Sequence, residues 1–270
     1  MLRPPAVAGR FYPADAGELT KQIQQYVSAT ASSPKKTVRA CLVPHAGYLY
    51  SGAVAGAVFA ALELPKRIIV LGVRHFPRGQ PLAILSEGAW QTPLGLAPVD
   101  AELAAELKRA CPLLREDAVA HSAEHSLEVQ LPFLQVLAPE FRFVPVALGT
   151  VRYEELRDVG EAVAQVVAAH EKEQVFILAT SDMNHYEDDA TTRRKDHKAI
   201  EQILKLDPRG LYDTVRREKI SMCGVGPAVA TLTAAERLGI ARAELVKYAT
   251  SADVTGDRSE VVGYAGMIFE

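Results

Sequence analysis

Arg67-Ile68-Ile69-Val70-Leu71-Gly72, followed by Val73-Arg74-His75, decides the fold. After Arg67 the run contains no polar side chain, and an extended segment with that pattern is buried on both faces. Residues 38–43, with Arg39 as the one charged side chain, and 174–180, apolar between Gln174 and Thr180, follow the same pattern. The first leads into Pro44-His45-Ala46-Gly47 and the second into Ser181-Asp182-Met183-Asn184-His185. Doubly apolar strands belong to parallel sheets whose two faces are covered by helices. In such sheets ligands bind outside the carboxyl ends of the strands. Three histidines at three strand ends therefore read as one constellation.

The segments between these strands read mostly as helices, at 16–30, 51–63, 101–110 (capped by Asp100), 126–137, 153–170, 191–206, 208–217 and 227–238. A further strand is expected at 142–148. Residues 80–98, with Trp90 and Pro93, suggest a hairpin or loop excursion, and 31–36 a polar linker. The stretches 245–250 and 262–269 suggest a C-terminal hairpin. The expected architecture is one α/β domain over residues 1–270, with a mainly parallel central sheet covered by helices.

The chain has 270 residues, 49% hydrophobic and 23% charged, with a formal net charge of −3. That balance gives no electrostatic reason to expect nucleic acid or an anionic membrane surface as a partner. No apolar stretch approaches the ~18 residues of a membrane span. The N-terminus lacks the charged-then-apolar pattern of a signal peptide, so a cytoplasmic location is expected. Three cysteines without CxxC spacing argue against a disulfide framework. Cys41 and Cys111 suit a core.

Cys223 lies in Ser221-Met222-Cys223-Gly224-Val225-Gly226-Pro227, at the start of a helix whose dipole favours a thiolate. It reads as a metal ligand, a nucleophile or a tight-turn residue. His45 and His75 read as metal ligands or bases, or as turn residues. Arg74 places a cation beside His75. Asp182 is suited to hold His45, His75 or His185 in one tautomer, or to cap a turn. His125, between Glu124 and Ser126, is a pocket acid/base or a solvated helix-start residue. His121 and His197 read as surface residues, and His170 as a helix C-terminal cation. HExxH, GxSxG, Walker and strand-linked GxGxxG signatures are absent from the sequence.

In order, Ala8-Gly9-Arg10-Phe11-Tyr12-Pro13, Val43-Pro44-His45-Ala46-Gly47-Tyr48 with Ser51-Gly52, Leu71-Gly72-Val73-Arg74-His75, Glu124-His125-Ser126-Leu127-Glu128 with Leu131-Pro132, Ser181-Asp182 with His185, and Cys223-Gly224 resemble the Memo family. This is system protein B of the bacterial and archaeal AmmeMemoRadiSam set. The resemblance covers nearly the whole chain. It implies a fold similar to the class III extradiol dioxygenases and a metal pocket formed by His45, His75 and Cys223. His185 would be an acid/base there, with Asp182 behind it. Iron(II) is the expected cofactor, with copper or zinc as alternatives, since thiolate and imidazole turn a site away from magnesium and calcium. A metal-dependent redox enzyme of unspecified substrate is the leading expectation. A binding protein holding metal, a small molecule or a peptide, and a Cys223-nucleophile hydrolase, are the alternatives. The family's name also implies a functional link to radical-SAM and AMMECR-type proteins. The chain departs from the family at Val73-Arg74, where Pro-Ser is usual, and at Phe76, where a second histidine often follows. These changes bear on pocket charge and substrate, and leave the ligand set intact.

Overall fold

The computed structural model describes residues 1–30 and 34–270, so positions 31–33 of the expected linker lie outside the described residues. In chain order the elements begin β1 (Leu2–Arg3), α1 (Ala16–Ser28), β2 (Ala40–Val43), α2 (Tyr48–Ala60), β3 (Arg67–Val73), β4 (Leu82–Ile84), β5 (Ala89–Thr92) and β6 (Gly95–Pro98). There follow α3 (Ala101–Ala110), β7 (Arg115–Glu116), α4 (Ala118–His121), α5 (Leu131–Leu137), β8 (Arg142–Leu148), α6 (Tyr153–Ala169) and β9 (Phe176–Thr180). The chain closes with β10 (His185–Glu187), α7 (Asp189–Leu204), α8 (Pro208–Arg217), α9 (Val225–Arg237), β11 (Ala243–Thr250), α10 (Ala252–Thr255) and β12 (Val261–Phe269).

The larger sheet runs β10-β12-β2-β9-β3-β8-β4-β7, with β11 paired to β12. Its four central strands, β2-β9-β3-β8, are mutually parallel, and antiparallel pairs join them to both flanks. Side chains alternate along each central strand between two cores. Leu42, Ile69, Leu71, Val144, Val146 and Ile177 pack with α3, α6, α7, α8 and α9. Cys41, Ile68, Val70, Phe143, Phe176 and Leu178 pack with α1, α2 and α5. Burial on both sides explains the uninterrupted apolar runs. Each fully buried Val, Leu or Ile contributes roughly 1.5–3 kcal/mol. Alternation cannot set register when both faces are apolar. Gly72 does so locally: a Cβ there would lie 2.6 Å from Leu127 Cγ and 2.7 Å from Ser126 Oγ.

The crossover from β2 through α2 to β3 leaves a strand's width that β9 fills after the crossover through α6. The carboxyl ends of β2, β9 and β3 are thus neighbours, with Val43 opposite Thr180 and Leu71 opposite Ala179. Arg67 fixes the opposite end of β3 with two bonds to Asp100, at 2.7 and 2.9 Å, while Asp100 caps α3 through Leu103 N–H.

Three expectations need correction. The helix at 126–137 is a 3-10 turn at Glu128–Gln130 followed by α5, because Pro132 in the first turn has no N–H for the preceding carbonyls. Residues 80–98 contain the expected hairpin, β5-β6, which pairs with β1 in a second sheet, but they also supply β4, an unexpected strand that extends the larger sheet against β8. His121 is sealed in the core, not at the surface. Asp117 caps its helix, Trp90 packs edge-on against its ring at 5.6 Å, and Arg3 Nε donates to its carbonyl at 2.8 Å. Among the described residues, no helix is long and apolar enough to cross a membrane.

Neither ring nitrogen of His121 has a partner among the described residues, so protonation has no compensation. Burial, aided by the Arg3 charge, pushes this imidazole down to about 4. Below the unfolded value near 6.5 the unfolded chain takes up a proton that the folded one refuses, so folding stability falls as pH drops from 6.5 to 4. His121→Phe should keep the packing against Trp90 and remove this loss. Urea titrations at pH 7 and pH 4 should show the variant gaining about 3 kcal/mol on wild type over that interval.

Candidate functional site

His45 and His75 each lie two residues beyond the end of a central strand, and His185 opens β10, and in each case the backbone N–H must find an acceptor outside the central ladder. Three side chains supply one. Asp182 Oδ1 accepts from His45 N at 2.8 Å, Glu124 Oε2 from His75 N at 2.7 Å, and Ser221 Oγ from His185 N at 2.7 Å. Each loop is held at the atom that sets where its imidazole starts.

The rings are then turned by their Nδ1 atoms. His75 Nδ1 lies 2.9 Å from Glu124 Oε1. Burial pushes the Glu124 carboxyl up, but the bonds from His75 and from Ser126 N–H outweigh it and hold it at about 2. Glu124 is therefore ionised and accepts only, which places the proton of a neutral His75 on Nδ1 and its lone pair on Nε2. His185 Nδ1 lies 3.0 Å from the Ser221 carbonyl oxygen, which again leaves a lone pair on Nε2. His45 Nδ1 meets Thr180 Oγ1 at 2.9 Å, and its Nε2 lies 3.1 Å from Cys223 Sγ.

Cys223 reaches this point because Gly224 packs on the end of β9. A Cβ at Gly224 would lie 2.3 Å from Thr180 O, and its N–H donates to Ser181 Oγ at 3.0 Å. The structure brings together one ligand atom each from His45, His75 and Cys223, all within 4.8 Å of one another. Two further groups meet the same criterion: Asp182, His185 and Cys223, and His75, Glu124 and His125. Cys223 and His75 are thus shared corners of one continuous cluster. His125 stacks on His75 with ring centroids 4.4 Å apart and faces His45 at 5.7 Å. It is a pocket residue rather than a solvated helix start. Burial, then the neighbouring His45 and His75, push it down to about 4.

Three expected details are corrected. The orienting carboxylate is Glu124, on His75, while Asp182 holds a backbone N–H and, among the described residues, no imidazole. Arg74 is turned out of the cluster, donating to the Gly79 and Arg78 carbonyls of its own loop, because adjacent residues leave a strand on opposite sides. Cys223 gains no thiolate character from the helix start. Burial, and then the Asp182 charge, push its thiol well up, and burial pushes His45 well down.

Glu124, Thr180, Ser126 and Ser221 were not assigned to the site from sequence. Ser126 bonds both the N–H and the carbonyl of Val73, at 3.0 and 3.1 Å, joining the 124–128 segment to β3. The available signal was Glu124-His125-Ser126-Leu127-Glu128 itself, whose acids are buried. Glu128 anchors the N-terminal segment by accepting from Arg3, Val7 N–H and Tyr12. Phe11 of that segment rests on His125, with centroids 4.8 Å apart.

The model of the Memo-like protein family matches residues 3–268 of this chain. A MEMO1 family protein of Methanopyrus kandleri is 43% identical over 281 residues, covering 100% of this chain and 99% of the relative. Its counterpart in Aquifex aeolicus is 40% identical over 269 residues, with 99% of both covered. The one in Methanosarcina barkeri is 41% identical, with 100% of both covered. Among solved structures, an uncharacterized protein of Escherichia coli K12 is similar in fold, with a TM-score of 0.54 and 14% identity. That match covers 86% of this chain and 99% of the other. In sequence over its full length, the chain belongs to the Memo-like family.

Proposed function

We infer that the cluster is a transition-metal site in which His45 Nε2, His75 Nε2 and Cys223 Sγ hold the ion, and that the chain is a redox enzyme acting on a small molecule in the manner of the extradiol dioxygenases. The observation that carries this reading is the convergence of the three ligand atoms, together with the Glu124 bond that reserves the His75 Nε2 lone pair. The donor set fits the group. Two neutral imidazoles and one sulfur suit iron(II), copper or zinc, and a cation would offset the burial that now opposes the Cys223 thiolate. Iron(II) is favoured because a three-residue set leaves open positions. Bound there, it would supply Lewis acidity and one-electron redox chemistry.

The protein's own part is positional. Glu124 keeps His75 from rotating, and Asp182 and Thr180 fix His45 through its N–H and its Nδ1. His185, with Nδ1 committed to Ser221, has Nε2 free to accept a proton beside Cys223. His125 and Phe11 cover one side of the site.

The Cys223–His45 contact would also suit a cysteine nucleophile. Such chemistry needs a thiolate beside an imidazolium. Burial drives both groups to their neutral forms, so the metal reading is preferred.

Metal content is the direct test. Protein purified without oxygen should carry about one equivalent of iron or copper by mass spectrometry, and His45→Ala and Cys223→Ala should each lose it. Absence of metal from wild type after reconstitution would overturn the reading.

The orienting carboxylate gives a second test. In Glu124→Gln one acceptor oxygen becomes a donor NH2, so the His75 backbone N–H, or else the His75 Nδ1–H and the Ser126 N–H together, loses its partner, and the negative charge beside His75 is gone. Titration against a chromogenic chelator should show metal affinity about 10–100-fold weaker, with His45, His75 and Cys223 all still present.

A further inference from the structure

Asn184 directly precedes His185 and is 1% exposed. The metal reading gives it no part, yet each of its polar groups is bonded within this corner of the fold. Its backbone N–H donates to Asp196 Oδ1 at 2.8 Å, and its carbonyl accepts from Gly263 N–H at 2.9 Å. Its side-chain Oδ1 accepts from both donors of Ser221, the backbone N–H at 3.1 Å and the hydroxyl at 3.2 Å. Its Nδ2 donates to Glu187 Oε2 at 2.7 Å and to Thr192 Oγ1 at 3.3 Å. The two ends of the amide are not interchangeable, because the Ser221 N–H must meet an oxygen and the Glu187 carboxylate must meet an NH2. The floor beneath is rigid. Asp196 is fully buried, accepts from the Tyr248 hydroxyl at 2.7 Å, and lies where a Cβ on Gly263 would collide with it.

The oxygen end acts on His185 through Ser221. The Ser221 hydroxyl gives its proton to Asn184 and turns a lone pair to the His185 backbone N–H at 2.7 Å. The Ser221 carbonyl meets His185 Nδ1 at 3.0 Å. A carbonyl only accepts, so Nδ1 carries the proton. One residue thus holds His185 by its backbone and by its ring, and one amide holds that residue. The nitrogen end acts on the turn itself. Tyr186 has a φ of +60°, a region that bulky side chains rarely adopt. Between His185 and Glu187 the pairing with β12 slips from Val262 to Val261, a bulge with Tyr186 at its apex. Tyr186 is 74% exposed, so packing of its ring does not hold the strained backbone in place. The bond from Asn184 to Glu187 closes across the bulge, and Lys195 grips the same carboxylate at 2.6 and 2.8 Å. Strained backbone persists only where its surroundings over-determine it, and here they do.

We propose that Asn184 is a positioning residue that acts through Ser221 on His185, fixing it as the Nδ1–H tautomer and leaving Nε2 free to accept a proton. Which nitrogen of an imidazole is protonated is set by the hydrogen bond that the other ring atom makes. Without Asn184 the Ser221 peptide is free to turn, and His185 loses the carbonyl that selects its tautomer. The catalytic value of the device rests on the reading of the cluster as an enzyme site. The tautomer itself belongs to the chain without metal.

Long-range 1H–15N NMR of the metal-free full chain, labelled at its histidine nitrogens, tests this at pH 8, where an ordinary imidazole is neutral. The His185 signals are those lost in His185→Gln, and the His75 signals those lost in His75→Gln. Wild type should show both rings protonated on Nδ1. In Asn184→Ala the ratio of Nδ1–H to Nε2–H should fall about fivefold at His185, the worth of one net hydrogen bond. It should stay unchanged at His75, which Glu124 holds from a different segment. A general loosening of the fold would move both rings. Asn184→Asp keeps an oxygen for Ser221 and should keep the wild-type ratio at His185. If Asn184→Ala does not fold, Asn184→Ser, too short to span Ser221 and Glu187, should lower the ratio in the same direction. His185 protonated on Nε2 in wild type, a His185 ratio unmoved by the truncations, or His75 and His185 shifting together would overturn the proposal. The expected tautomers in a chain that takes up no metal would support the positioning role and remove the metal reading alone.

Discussion

The site depends on what happens to a backbone N–H where a parallel strand ends. In the sheet, every N–H of β2, β3 and β9 has a neighbour's carbonyl. Two residues beyond β2 the ladder is gone while the backbone at His45 is still buried, and an unpaired group there costs roughly 1–3 kcal/mol; at His75 the backbone is part-buried and the need is smaller. Asp182 and Glu124 meet this need for His45 and His75, and Ser221 does so for His185. The same three bonds solve the backbone's problem and set the histidines' positions. The polar residues of the site are thereby structural and functional at once. Removing Glu124 takes the acceptor from the His75 N–H and from its imidazole in the same stroke.

A second buried carboxylate performs the corresponding task for the chain's beginning. Glu128 is fully enclosed and receives Arg3 at 2.5 Å, Ala6 and Val7 N–H, and the Tyr12 hydroxyl. Breaking one partner of such a buried ion pair typically costs about 3–5 kcal/mol, since the other charge is left uncompensated. The return is local geometry. The anchored segment carries Phe11 onto His125, and the Phe11 carbonyl takes the N–H of Tyr48 at the start of α2. Residues 124–128 therefore serve two sites four residues apart: Glu124 orients the candidate metal ligand His75, and Glu128 closes the wall beside it.

The same burial pushes the Cys223 thiol up and the His45 imidazole down. With no cation present, the pocket disfavours a thiolate and an imidazolium alike. A low-dielectric pocket of this kind raises the value of any positive charge placed among the ligands. The preference for a metal over a hydrolytic dyad comes from this electrostatic demand, and the shape of the cluster is compatible with either.

Much of the fold was legible because it rests on local patterns. Uninterrupted apolar runs at 67–73 and 176–180 mark strands buried on both faces, and Asp100 caps α3 where a capping residue was expected. The ligand candidates His45, His75 and Cys223 were legible from their places at strand ends and a glycine turn, and from the family resemblance. The 3-10 turn before Pro132 and the bulge at Tyr186 were not. The first depends on carbonyls left without donors, and the second on pairing with residues some 75 positions away. The enclosure of His121 depends on Trp90 and Arg3, equally remote in sequence. By itself, then, the sequence determined which segments are strands and which donor atoms stand at their ends, because periodicity and turn chemistry act between near neighbours. Which carboxylate holds which histidine, and the burial that opposes a Cys223 thiolate, were decided only by the tertiary structure. Hydrogen-bond geometry and burial are properties of groups that the sequence keeps apart.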